Sequence, residues 1–160
     1  MLLGNYRPQS KLITKVTPIT KPKFPVIDAH NHLFDGWEQK PFSQLLDRLD
    51  EAGITHYIDL DGGWGEDILN RHLDYFKQHA PDRFKIFGGV DWSKWESMGD
   101  GFADWAAGRL KIQKDAGAQG LKIWKPFGLH VKDDKGQLVK VDDARLNPIF
   151  QFLRSRQRGR

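Results

Sequence analysis

The 160-residue sequence predicts an α/β fold: a partial (β/α) barrel of about four parallel strand-helix units, half of a closed eight-unit cylinder. Three observations carry that expectation. Short apolar runs alternate four times with amphipathic helical stripes, and parallel strands need crossovers of a dozen or more residues, usually helical. The first three helical stripes each meet a breaker, Gly53, Pro81 and Gly117 in turn. The 135 residues after the first 25 divide into four units of about 34, whereas a closed eight-unit barrel of this type needs about 250 residues. An open, doubly wound four-stranded sheet satisfies the same periodicity and stays as the alternative.

The elements follow in order. Residues 1–25 read as an extended arm rich in proline and lysine, because Pro8, Pro18, Pro22 and Pro25 each remove an amide donor and disfavour helix before them. Residues 26–153 hold the barrel domain and 154–160 a basic tail. Val26 to His32 is the first strand, and Phe42, Leu45, Leu46 and Leu49 form a helical stripe. Thr55 to Leu60 is the second strand, followed by a helix from about Glu66 to Ala80 with Leu69, Leu73 and Phe76 on one face. Phe84 to Val90 is the third strand, and its helix turns Phe102, Ala103, Ala106, Ala107 and Leu110 inward. Gly120 to Trp124 is the fourth strand. Gly128 to Val141, with Asp134-Lys135-Gly136 at its centre, reads as a small hairpin. Asp142 is then expected to cap a last helix bearing Leu146, Ile149, Phe150 and Leu153.

Composition narrows the function classes. Hydrophobic residues make up 39 % and aromatic residues 12 %, enough for one packed core. No apolar run approaches the roughly 20 residues that cross a bilayer, so a soluble protein without a membrane partner is expected. With no cysteine, a thiolate zinc site and a cysteine nucleophile are excluded, and any metal must be held by imidazole and carboxylate groups. The net charge of +4 belongs to the ends: five basic side chains lie in 1–25 and four in 154–160, with no acid in either. Residues 26–153 carry the other 16 basic groups against 21 acids, so the body is acidic and no nucleic-acid partner is expected. Met1 is followed by no secretory apolar region, which makes a cytoplasmic address the default expectation.

The sharpest chemical signal is Val26-Ile27-Asp28-Ala29-His30-Asn31-His32, an apolar strand running into two histidines. Alternation along a strand points His30 and His32 the same way, about 6.6 Å apart, near enough to chelate one ion. They also stand at the carboxyl end of a first strand, where barrel enzymes place their active groups. The competing reading is a pair of exposed loop histidines. Tryptophan placement is the second signal: Trp37, Trp64, Trp92 and Trp95 follow strands and Trp124 ends the fourth, all on the side where the histidines open. With His130 on the rim, Trp37, Trp64, Trp92 and Trp124 are expected to wall a substrate pocket for flat or apolar molecules. Alternatively, these rings wedge loops against helix tops. His56, His72 and His79 read as structural or surface residues, while Asp59, Asp61 and Asp91 are candidates for orienting an imidazole.

The stretch Lys23-Phe24-Pro25-Val26-Ile27-Asp28-Ala29-His30-Asn31-His32-Leu33 resembles the opening of the amidohydrolase-related, metal-dependent hydrolases with a TIM-barrel fold. Ala118-Gln119-Gly120-Leu121-Lys122-Ile123-Trp124-Lys125 is similar to that family's fourth strand. The resemblance implies a divalent metal, zinc foremost, held by His30 and His32 and activating water for attack on a C–N or C–O bond, with decarboxylation in some branches. It also implies a lysine, at Lys122, that some relatives carboxylate into a metal bridge; the alternative is an ammonium paired with Asp61 or Asp91. Lys125 is a weaker candidate. The family's later ligands, histidines on the fifth and sixth strands and an aspartate on the eighth, have no matching positions, and the arginine-rich ending resembles a truncated gene or a shifted frame. The expected protein is therefore the N-terminal part of a hydrolase, weak or inactive alone. Two alternatives stand beside it: a half-barrel completed by a second copy or a separately encoded second half, and a non-catalytic module binding through its basic termini.

Overall fold

A computed structural model describes residues 5–15, 17–32 and 39–155. Twelve elements follow one another, opening with β1 (Val26–Asn31), α1 (Phe42–Glu51), β2 (Ile54–Asp59), α2 (Glu66–His79) and β3 (Phe84–Gly88). A 3-10 turn (Trp92–Lys94), the short α3 (Trp95–Met98) and a second 3-10 turn (Gly99–Gly101) lead into α4 (Phe102–Ala116). β4 (Gly120–Leu121), a third 3-10 turn (Ala144–Leu146) and α5 (Asn147–Ser155) complete the order. The described arm residues from Tyr6 to Pro25 form neither helix nor strand and are exposed.

All three strand pairings are parallel and the sheet order is β1-β2-β3-β4. A doubly wound sheet reverses its strand order at a switch point. Here each strand is laid beside the previous one in the same direction, and the sheet curls into a half-barrel with helices on its outer side. That removes the open-sheet alternative.

Two cores hold the helices to the sheet. Phe42, Leu45 and Leu49 of α1 and Leu69, Leu73 and Phe76 of α2 close over Tyr57, Phe84 and Ile86. These are the inward positions the 3.6-residue stripe specifies, except that Leu46 is only half-buried. The second core gathers Val90, Trp92, Trp95, Phe102, Ala106, Leu110, Phe127, Leu146 and Ile149 beneath α4, α5 and the excursion after β4. Gln113 of α4 pins the end of β3: its Oε1 accepts from Gly89 N at 3.1 Å and its Nε2 donates to Gly89 O at 2.8 Å. Gly88 permits that approach, because a Cβ there would collide with the Gln113 amide oxygen. Gly117, at φ +122°, ends α4 as expected.

Several boundaries differ from expectation. β4 covers two residues instead of five, although Lys122 N still donates to Gly88 O at 2.8 Å. The hairpin at 128–141 is reduced to one antiparallel bridge, Lys132 with Leu138. Its tip is held by Asp133, whose Oδ1 accepts from Lys135 N at 3.0 Å and Gln137 N at 2.9 Å. Asp143, and not Asp142, caps the last helical segment, accepting from Arg145 N at 2.9 Å. Arg154 and Ser155 continue α5, so the expected tail begins inside a helix; residues 156–160 lie outside the described residues. Among the described residues no helix is long and apolar enough to cross a membrane.

Candidate functional site

The aim of the two histidines is set by an irregularity in β1. Partners in a parallel ladder share a face, and Asp28 partners Tyr57 while Asn31 partners Asp59. Two residues, Ala29 and His30, therefore stand against one, Ile58, which is the signature of a bulge. Asp28 and Asn31 end on the helix-covered side, where Asn31 Nδ2 donates to Asp28 Oδ2 at 2.7 Å. His30 and His32, on either side of Asn31, are turned to the inner, concave face. Their ring centroids lie 5.7 Å apart with planes at 68°.

His32 is fixed from behind. Its Nδ1 lies 2.6 Å from Asp61 Oδ1, and the Asp61 side chain is only 6 % exposed. The Asp61 amide in turn donates to Asp59 Oδ1 at 3.1 Å, and Asp59 Oδ2 meets His72 Nδ1 of α2 at 2.6 Å. A buried polar chain thus runs from the outer helix layer, through the turn after β2, to the ring of His32. Of the three acids considered for orienting an imidazole, Asp61 reaches His32 and Asp59 reaches His72. Asp91 instead caps the turn at Trp92, accepting from Ser93 N at 3.2 Å and Ser93 Oγ at 2.6 Å. Tyr57 lies in the same neighbourhood; burial first, then the carboxylates of Asp59, Asp28 and Asp61, push its phenol above the usual range, so the hydroxyl stays protonated.

Lys122 approaches the pair from the far side of the sheet. Its Nζ is 3.4 Å from His30 Nε2, so an imidazole stands where the ammonium alternative put Asp61 or Asp91. The register explains this: Phe87 partners Gly120 and Ile58 partners Lys85, which puts Ile58, Lys85, Phe87 and Lys122 along the inner face. Lys125 is exposed.

The tryptophans divide. Trp124 lies 5.9 Å from His32 and meets Trp64 edge to face at 6.3 Å and 87°. Trp64, Trp92, Trp124 and His130 all line one cavity of about 370 Å³ beside the histidines, with Asp91, Glu96, Pro126 and Lys132. Trp95 does not join them; it is fully buried and stacks on Phe102 at 4.6 Å, a loop wedge in the second core. Trp37 lies outside the described residues. His56 is exposed at the opposite end of β2, and His79 caps α2 with Nδ1 2.6 Å from Tyr75 O and its ring stacked on Phe42. No periodic signal in the sequence points to Glu96 or Lys132 as liners, because α3 and the single bridge after β4 hold too few regular residues.

As a metal centre the donor set is partial. Two imidazoles on one face, one of them backed by a carboxylate, suit an ion such as zinc, which is bound by imidazole nitrogen and whose ligand rings are held by just such partners. Yet among the described residues no three histidine, aspartate or glutamate side chains converge as a metal-binding group. A catalytic zinc keeps three protein ligands, one more than the two imidazoles that meet on this face. Comparison with family models, with curated proteins and with solved structures found no match for this chain.

Proposed function

We propose that this half-barrel carries the first part of the active site of a metal-dependent hydrolase related to the amidohydrolases, with His30 and His32 as two of its metal ligands. The observation that supports this most directly is the juxtaposition of the two rings on the concave face with Asp61 locked 2.6 Å behind His32. Bound there, a divalent metal supplies a water of lowered pKa as nucleophile. The chain's own residues do the rest. Asp61 Oδ1 accepts the hydrogen bond from His32 Nδ1–H and so leaves Nε2 as the ligating atom. His30 sits where Lys122 can either compete with a cation as an ammonium or join it once its charge is removed. The tryptophan-walled cavity receives an apolar substrate body and excludes water from it. The third ligand is supplied by groups other than the described residues, so metal affinity in this chain alone should be weak.

Zinc titration by calorimetry on the wild type and on the His30→Ala, His32→Ala double variant tests the assignment. The expected result is one weak site in the wild type and none in the variant. Equal binding by both would end the reading.

A second reading, in which another polypeptide completes the cylinder, is supported by the sheet's borders. β1 and β4 each have one unpaired edge among the described residues, and a cleft of about 880 Å³ runs beside β4, lined by Phe87, Gly120, Leu121, Phe152 and Leu153. Sedimentation should then show self-association or, with the partner present, a complex; a monomer unchanged by any partner weighs against it.

A further inference from the structure

We propose that the aromatic cavity selects an organic cation, an amine or quaternary ammonium joined to an apolar body, over a neutral or anionic molecule of the same shape. The inference rests on the reading of this cavity as the substrate pocket and adds the charge of its ligand. The walls are apolar and aromatic: Trp64, Trp92 and Trp124 surround about 370 Å³, room for a ring or a branched alkyl group. Trp64 is half-exposed at the entrance and stands at right angles to Trp124, so one indole offers its face where the other offers its edge. An indole face carries negative potential and attracts an ammonium placed over it. The charged liners tip the balance the same way. Asp91 and Glu96 come from the segment after β3, and Lys132 is the single lysine or arginine among the lining residues, so the cavity's formal charge is negative. Asp91 is held by Ser93 through one carboxylate oxygen, which fixes the group at the wall. A carboxylate ligand would meet Asp91, fixed at the wall, with Glu96 adding a second, exposed negative charge among the lining groups.

Three molecules that share a ring and differ in charge separate the possibilities: benzylammonium, benzyl alcohol and benzoate, titrated at low salt against tryptophan emission of the full chain freed of metal by a chelator. Benzylammonium should bind about fivefold or more tightly than benzyl alcohol, with benzoate weakest. Glu96→Gln, an exposed change that leaves the core untouched, should cut the cation's advantage severalfold while leaving benzyl alcohol unchanged. Trp64→Ala should weaken all three. Benzoate binding as well as benzylammonium, or a cation preference that Glu96→Gln does not move, would overturn the proposal, as would the absence of binding by all three. Because metal is removed beforehand, the result is independent of whether His30 and His32 hold zinc: loss of zinc binding strikes the hydrolase reading, and loss of charge selectivity strikes this one.

Discussion

Asp61 governs which ring nitrogen His32 turns toward the concave face. With Oδ1 at 2.6 Å from Nδ1 it selects the tautomer and holds the ring plane, and replacing such a partner commonly costs about 10- to 100-fold in metal affinity. Asp61→Asn should weaken zinc binding by that order with the circular dichroism unchanged; undiminished affinity would remove Asp61 from the site. Tyr57 offers an opposite case. Its hydroxyl is buried and finds no hydrogen-bond partner among the described residues. Tyr57→Phe should therefore leave stability unchanged or raise it by up to about 1 kcal/mol, read from the urea midpoint. The histidines could be read as a pair because alternation along a strand is a local rule. Asp61 could be read only as one of three candidates, since its selection depends on Asp59 gripping its amide and on His72 arriving from α2 to hold Asp59.

The long helices were the most readable elements. α2 begins and ends within a residue of where its apolar stripe and breaker put it, and α4 stops at the expected Gly117, because a 3.6-residue repeat over three or four turns is a strong signal. The bulge in β1 was not readable. Regular alternation would put Asp28 on the side of His30 and His32, and only the pairing with β2 separates them. The excursion after β4, where the sequence suggests a hairpin, is organised by charge. Arg145 bonds Asp143 at 2.8 Å and Asp133 at 3.2 Å, and its guanidinium lies over the Trp95 ring. Hydrogen bonding from Arg145 holds the Asp143 carboxyl below the usual range, and the Gln137 amide does the same for Asp133. Groups depressed in this way stabilise the fold above the ordinary carboxylate pKa near 4, and the contribution is lost as pH falls through their lowered values. Melting temperature should thus fall steeply below about pH 4. Arg145→Met should flatten that fall in part, because Asp133 keeps its backbone donors. A pH profile identical in the two proteins would show the cluster to be without effect. Trp95, fully buried against Phe102, should cost about 3–5 kcal/mol when truncated to alanine, measured by chemical denaturation.

For the molecule taken together, the consecutive order of four parallel strands is the decisive feature, and periodicity could not supply it, since doubly wound sheets share the same alternation of elements. The half-barrel should be unevenly protected. Amide exchange should be slowest in β3, flanked on both sides and pinned by Gln113, and faster at the outer edges of β1 and β4. Uniform protection across the four strands in mass-resolved exchange would mean that both borders are covered in solution. The lysines of the inner wall bear on what such a cover could be. Lys85 and Lys122 stand on the side that a closed cylinder would dry out, and shutting two ammonium groups into a waterless interior without counter-ions is strongly unfavourable. A duplicate of this chain would double the entombed positive charge. A complementary wall would have to bring inward-pointing aspartate or glutamate, or an anion carried between the two halves.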